Sequence, residues 1–334
     1  MMKNNLTLYV CYTHYHILIA TIKVLLNKDE NSDIVLASNW GDSSLIDDNI
    51  LQENLKNSQI FKHMYLFDLL EGNNINKNSY IKKIKIICRS INKLNFLDNY
   101  KNIFIFNDNA TIGNVLNIKK IPYNLIEDGL DCFKNNKTII HKKDYKRFIK
   151  RNIFKIYNHG ESPLIKSIEV NDKNEVFLKH SNIIEIPRDK LFSMLDDEQK
   201  SKILNIFKIN FTINPEIKYN LIITQPLYKD SLVSTKASQI QIYKDIIKNF
   251  CQENNVIIKV HPRDNIVDYS TFSNNIIVMK DKFPIEILNF IPNLIFDKII
   301  TVSSTSINAL TNCNKRIKLG WEWLDKYKKN KNGQ

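Results

Sequence analysis

Short β-branched runs alternate along this chain with longer stretches whose apolar positions recur every three or four residues. That alternation predicts parallel α/β architecture. Brief apolar runs suit strands covered on both faces, and the amphipathic stretches suit the helices that cover them. In the first half, strands are expected at Leu6–Tyr12, Ile34–Ala37, Met64–Phe67, Asn102–Phe106 and Tyr123–Ile126. Helices fit Tyr15–Leu26, Ser43–Asn57, Tyr80–Leu94 and Ala110–Leu116. Residues 130–180 are polar, lysine-rich and less periodic, and read as an insertion or loop with short helices; Asp189–Phe207 reads as a helix closing this half. A second series follows, with strands at Asn220–Thr224, Val256–Val260, Ile276–Met279, Lys298–Val302 and Arg316–Leu319. Its helices fit Ser238–Asn254, Pro284–Phe290 and Ser306–Thr311. Between the series, Asn210–Lys218 carries a proline and little periodicity, which suits a linker. The pattern predicts two α/β domains of similar type with a cleft between them.

Composition narrows the class. The 334 residues suffice for two domains, and 43% hydrophobic content supports packed cores and excludes a disordered chain. Only seven glycines occur, with no GxxxxGK[ST] and no GxGxxG, which disfavours a P-loop NTPase and a dinucleotide dehydrogenase. A formal charge of +13 favours anionic partners: nucleic acid, an acidic membrane leaflet or a nucleotide-linked substrate. The basic residues recur in stretches such as Tyr80–Lys93, Lys142–Lys155 and Lys326–Lys331, as solvated helix faces or as a membrane-facing surface. Interleaved aromatic and basic motifs are lacking, so nucleic acid is not the expected partner. The five cysteines are scattered without a CxxC pair, which indicates neither a zinc site nor a disulfide framework and fits a reducing cytosol. No signal-peptide pattern opens the chain, and no run approaches the ~20 apolar residues that span a bilayer. A cytoplasmic protein, peripheral at most on the inner face of the membrane, is the expectation.

Candidate chemistry gathers where strands end, the edge at which open α/β sheets bind ligands. In VIIKVHPRD, Val256–Asp264, Pro262 stops the ladder and leaves His261 at a strand end, beside neutral-pH chemistry that suits histidine. In IEDG, Ile126–Gly129, two carboxylates and a glycine give one outward-facing acid and a tight turn; Asp128 is a base or acceptor ligand, or part of a plain turn. In ITQPLYKD, Ile223–Asp230, Asp230 is a second candidate base facing the cleft, or an exposed loop acid. In TVSSTSINAL, Ser303, Ser304, Thr305 and Ser306 open a helix and offer hydroxyls and free N–H groups to a phosphate. In FPIE, Phe283–Glu286, Pro284 occupies a first helical turn and Glu286 reaches ribose hydroxyls or complements the helix dipole. His14 and His16 in CYTHYH share the edge of the first domain, to touch an acceptor or to pack and cap. His63, His141, His159 and His180 show no partner in sequence, and no clustered metal ligands occur.

Taken in order, CYTHYH, LIEDG, ITQPLYKD, KVHPRD, FPIE and the VSSTS run resemble glycosyltransferase family 52, from about Leu6 to Leu310. That family holds bacterial sialyltransferases acting on lipooligosaccharide or capsule, and the acid-acid-glycine and His-Pro pair also marks other bacterial sialyltransferases. The resemblance implies a GT-B type α/β fold, two Rossmann-like domains facing a central cleft. Residues 1–210 would bind the acceptor and 211–334 the nucleotide sugar. It implies an inverting, metal-independent transfer of sialic acid from CMP-sialic acid to a galactose-terminated glycan. Under it His261, in protonated form, neutralises the departing CMP phosphate next to Pro262, the serine run binds the same phosphate, and Glu286 holds the cytidine ribose. The family's base maps nearest to Asp230, although here the acid comes four residues after Pro226 and not directly after proline. Asp128 is the other candidate. The tail from Trp321 (WEWLDKYKKNKNGQ) suits an anionic membrane interface, or packs Trp321 and Trp323 on the first domain. The alternative activity is another GT-B envelope glycosyltransferase, polymerising sialic acid or using a different nucleotide sugar, and a homodimer stays open.

Overall fold

The computed structural model describes residues 5–38, 45–68, 80–129, 133, 155–178, 180–209, 214, 216–251, 255–264, 267–272 and 276–328. The chain divides into two compact units, Met1–Lys208 and Ile209–Gln334.

In the first unit the strands are β1 (Thr7–Cys11), β2 (Ser32–Ala37), β3 (Met64–Phe67), β4 (Asn102–Ile105), β5 (Tyr123–Ile126), β6 (Ile165–Val170) and β7 (Ile183–Glu185). They form one sheet in the order β3-β2-β1-β4-β5-β6-β7, all pairs parallel. Every residue of β1 and β2 is buried, which is why these strands are runs of apolar residues and not alternating ones. Helices α1 (His14–Asn27), α2 (Asn49–Asn57), α3 (Tyr80–Lys93) and α4 (Thr111–Lys119) connect them. Thr13 caps α1 by accepting the His16 N–H, so only two residues separate the buried end of β1 from the helix. At Gly113 in α4, an added Cβ would lie 2.3 Å from the Asp108 carbonyl oxygen; only glycine lets this helix close on the loop after β4.

Two readings of the first half are corrected. The stretch 130–180 is not only insertion, because it holds β6, whose apolar residues pair with β5; residues 130–132, 134–154 and 179, His141 among them, lie outside the described residues. The helix expected over Asp189–Phe207 is two, α5 (Arg188–Ser193) and α6 (Asp197–Ile206), because Asp196 and Gln199 form a reciprocal capping box that restarts the chain.

The second unit carries β8 (Tyr219–Ile223), β9 (Asn255–Lys259), β10 (Ile276–Met279), β11 (Phe296–Thr301) and β12 (Cys313–Lys318). They make a parallel sheet ordered β10-β9-β8-β11-β12 over a core that includes Ile222, Ile258, Ile300 and Tyr243. Helix α7 (Lys236–Ile246) ends in a π turn over Ile247–Cys251, where one long helix was expected. The two expected C-terminal helices are 3-10 turns, Ile285–Phe290 and Thr305–Ala309. In each the following chain is extended at once, at Ile291 and Leu310, so the helix has no backbone to continue on. Pro284 precedes its turn as the cap residue and is not the first helical residue.

The ring of Trp323 lies 5.5 Å from Phe250 of its own unit with Lys326 Nζ 3.6 Å above it, while Trp321 is 48% exposed. Among the described residues no helix is long and apolar enough to cross a membrane.

Candidate functional site

Each sheet reverses its strand order once, between β1 and β4 in the first unit and between β8 and β11 in the second. Beyond the carboxyl ends of such strands lies the crevice in which α/β proteins bind ligands. The polar residues singled out from sequence collect there, unit by unit.

In the first unit, Glu127 and Asp128 leave β5 on opposite sides, as alternation along an extended chain requires. Glu127 is buried, and its Oε2 accepts the Asn171 N–H at 2.6 Å, tying β5 to the end of β6. Asp128 keeps 29% of its side chain exposed and pairs through Oδ1 with His16 Nε2. Gly129 then adopts φ +146°, which side chains rarely tolerate, and turns the chain away from the acid. His16 is fully buried; its Nδ1 accepts the Tyr12 N–H at 3.0 Å, and its ring stacks on Phe106, the residue after β4, at 4.2 Å. His14 lies apart from this pair and contacts Asp48, the cap of α2, at 3.2 Å.

A second His–Asp pair stands near the first but is of a different kind. Asp108 is 2% exposed, and its oxygens accept from His159 (2.6 Å), the Gly160 N–H (3.1 Å) and the Tyr123 hydroxyl (3.1 Å). Both of its oxygens are committed, and it clamps the loop after β4 to the segment before β6. His63 likewise pairs with Asp33, and His180 with the Ile165 carbonyl. These histidines are joined to residues far away in sequence, which no local pattern reveals.

In the second unit, the loops after β8, β9 and β11 are knitted together. The His261 N–H donates to Thr224 Oγ1 at 2.9 Å, and the Ser303 N–H to Gln225 Oε1 at 2.8 Å, while Gln225 Nε2 donates to Ser303 Oγ at 3.1 Å. Gln225 and Ser303 therefore close across the switch point between β8 and β11. Asp264 is buried and accepts from Gln239 (2.8 Å) and from the Tyr269 hydroxyl (2.6 Å), and Gln239 in turn accepts the Tyr228 N–H at 2.8 Å. This network holds the HPRD turn to the QPLYKD loop.

His261 Nδ1 accepts the Arg263 N–H at 3.1 Å. An acceptor nitrogen carries no proton, so in this arrangement the ring proton sits on Nε2. Burial, and then the Arg263 charge, push its pKa below the usual imidazole range. Arg263 also forks onto Asp230, donating to Oδ1 at 2.8 Å and to Oδ2 at 2.9 Å. Both carboxylate oxygens of the candidate base Asp230 are thus occupied by a guanidinium that sequence reasoning passed over, although it stands inside the quoted HPRD motif.

The serine run is self-satisfied. Ser304 Oγ lies 2.6 Å from Ser306 Oγ and accepts the Ser306 N–H, and Arg316 of β12 anchors the turn by donating to the Ile307 and Leu310 carbonyls. Its hydroxyls remain partly exposed, with Thr305 the most open, and the short α-helix expected behind them is a five-residue 3-10 turn. Glu286 is half-buried in the neighbouring turn, and burial pushes its pKa up to about 7. Lys259 at the end of β9 lies over the Phe283 ring at 4.2 Å and donates to the Asp281 carbonyl at 2.8 Å; burial lowers its pKa to about 8. Lys259 thereby ties β9 to the segment carrying Glu286. Among the described residues no group of three or more His, Cys, Asp or Glu side chains is arranged to hold a metal ion.

Two parallel α/β units, each with its polar residues gathered at the carboxyl edge beside a switch point, define a GT-B type fold. Solved structures of similar fold include UDP-GlcNAc 2-epimerase from Neisseria meningitidis bound to UDP-GlcNAc, at 14% identity and a TM-score of 0.52, covering 90% of this chain and 78% of that one. The UDP-GlcNAc 2-epimerase from Methanocaldococcus jannaschii is also 14% identical, with a TM-score of 0.49 over 98% of this chain and 93% of that one. At such identity the first likeness speaks for the fold alone. Residues 48–319 match the family description Glycosyltransferase family 52, and the chain belongs to that family. It is accordingly a glycosyltransferase, with a nucleotide-sugar donor and a glycan acceptor. Comparison with curated proteins finds no match.

Proposed function

We propose that this protein is an inverting, metal-independent sialyltransferase that moves sialic acid from CMP-sialic acid to a terminal galactose of a bacterial surface glycan, lipooligosaccharide or capsule. Membership of glycosyltransferase family 52 supports the class. The observation that carries the residue roles is the contrast between the two candidate bases: Asp230 is bound at both oxygens by Arg263, whereas Asp128 is bound at one and partly exposed. Asp128 is therefore read as the base and the first unit as the acceptor-binding part. The acceptor hydroxyl gives its proton to Asp128, its oxygen bonds to the anomeric carbon, and the bond from that carbon to the CMP phosphate oxygen breaks, inverting the centre. Negative charge then accumulates on the phosphate.

The second unit is read as the donor-binding part. His261 donates its Nε2–H to the phosphate as a neutral hydrogen-bond donor, and the hydroxyls of Ser303, Ser304, Thr305 and Ser306 add donors to the same group. Glu286, one turn away, receives the ribose hydroxyls. The +13 charge favours the anionic donor and a peripheral place on the anionic inner membrane surface. The test is incubation with CMP-sialic acid and a labelled lactoside without added metal, following sialyl-lactoside and CMP. Transfer that is lost in His261→Ala with the fold retained is the expected result. Neither transfer nor donor hydrolysis by the wild type, with another nucleotide sugar consumed instead, would sink the reading.

A further inference from the structure

We infer that His16 is the positioning residue of Asp128, locking one carboxylate oxygen so that the other is presented to the acceptor. The inference rests on the reading of Asp128 as the base. Three features of the imidazole make it a fixed donor. Its Nδ1 is committed as acceptor of the Tyr12 N–H at 3.0 Å, which leaves the ring proton on Nε2, the atom facing Asp128 Oδ1. Its faces and edges are clamped: Phe106 stacks on it at 4.2 Å with 5° between planes, and the rings of Tyr12 and Tyr15 meet it edge-on at 6.3 and 6.4 Å. It is fully buried, so no water competes for the Nε2–H.

The clamp is built from three strand ends. Tyr12 follows β1, Phe106 follows β4 and Asp128 follows β5, and the imidazole sits on the middle one and bridges the outer two. Those strands include the pair at which the sheet order reverses, the place where a ligand enters. Asp128 Oδ2 has no hydrogen-bond partner among the described residues, and its side chain is 29% exposed. One oxygen is held and the other is open.

The neighbouring Asp108–His159 pair shows what a purely structural version looks like: there both carboxylate oxygens are used and the acid is buried. A core histidine satisfied for its own sake needs no partly exposed partner. Fixing a base within reach of its proton is worth a large factor in rate, because misplacement of the reacting group by about 1 Å costs ~10²-fold.

The experiment compares His16→Gln, which keeps an N–H donor on a side chain of similar reach, with His16→Met, which fills the volume without one. Steady-state kinetics use the full chain with CMP-sialic acid and a labelled lactoside, and circular dichroism with thermal melting checks the fold. His16→Met is expected to lose about 10- to 100-fold in kcat, the worth of one hydrogen bond to a charged group, with KM for CMP-sialic acid unchanged. His16→Gln is expected to recover most of that loss. Equal kcat for the two variants, both folded, overturns the inference while inactivity of Asp128→Asn leaves the base assignment standing. Full transfer by Asp128→Asn overturns the base assignment itself, and the inference with it.

Discussion

Arg263 contacts two candidate residues at once. Its backbone N–H fixes the His261 tautomer and its side chain engages both oxygens of Asp230. The Arg263 side chain is 57% and that of Asp230 33% exposed, so the pair adds little stability, ~0–1 kcal/mol, but it leaves Asp230 no free oxygen. Asp230→Asn is therefore expected to retain transfer and melt within about 1 kcal/mol of the wild type, whereas Asp128→Asn loses transfer by orders of magnitude. Parallel rate and melting measurements on the two variants check this; loss of activity confined to Asp230→Asn would reverse the assignment. Glu286 makes a pH prediction. Burial raises its folded pKa from the usual 4.5 to about 7, so between those values the native state holds a proton that the unfolded chain has released. Its stabilisation is full below about 4.5 and declines as pH rises to about 7. Glu286→Gln should flatten that decline, which denaturant titrations across the window would reveal. At this scale the acids, histidine and hydroxyls were legible because each follows a β-branched run. Their pairing was not, since His16 and Asp128 are 112 residues apart and Arg263 and Asp230 are 33 apart.

At the scale of elements, strand ends do the positioning, and the connections decide how much helix stands behind them. Expected strands such as Met64–Phe67, Tyr123–Ile126 and Ile276–Met279 form with the same bounds, because short apolar runs of strand length carry no competing amphipathic period, whether interior like the second or at a sheet edge like the other two. The serine run was misread as a helix start. Its capping pattern is real, with Ser304 accepting the Ser306 N–H, but only five residues follow before the chain becomes extended again. Strands β6 and β7 were missed because polar residues such as Lys166 and Glu185 interrupt the apolar run. Gly113 carries the prediction at this scale. The Cβ of Gly113→Ala would meet Asp108 backbone atoms at 2.3 to 2.6 Å, and backbone cannot step aside cheaply. A loss of roughly 1–3 kcal/mol is expected, as for other overpacked sites, read from the shift in the denaturation midpoint. An unchanged midpoint would show that α4 can lift off the loop at no cost.

For the whole molecule, the two units carry separate sheets and separate apolar cores. If the second unit binds the donor, CMP should protect it selectively. At about a hundred times its Kd, CMP is expected to add about 2.7 kcal/mol to the unit that holds it. Amide exchange should slow in β8, β9 and β11 and not in the first sheet; slowing in the first sheet alone would invert the assignment of donor and acceptor. The sequence by itself determined the parallel α/β class, the two series of strands, and the residue types at strand ends. All of these follow from local periodicity and from the rule that proline or an acidic turn stops a ladder. Only the tertiary structure decided which acid is forked by a guanidinium and which meets a buried histidine, and that His261 Nδ1 accepts a backbone N–H. Those outcomes depend on the partners each side chain meets across the sheet, and hydrogen bonds between residues distant along the chain leave no periodic trace in it.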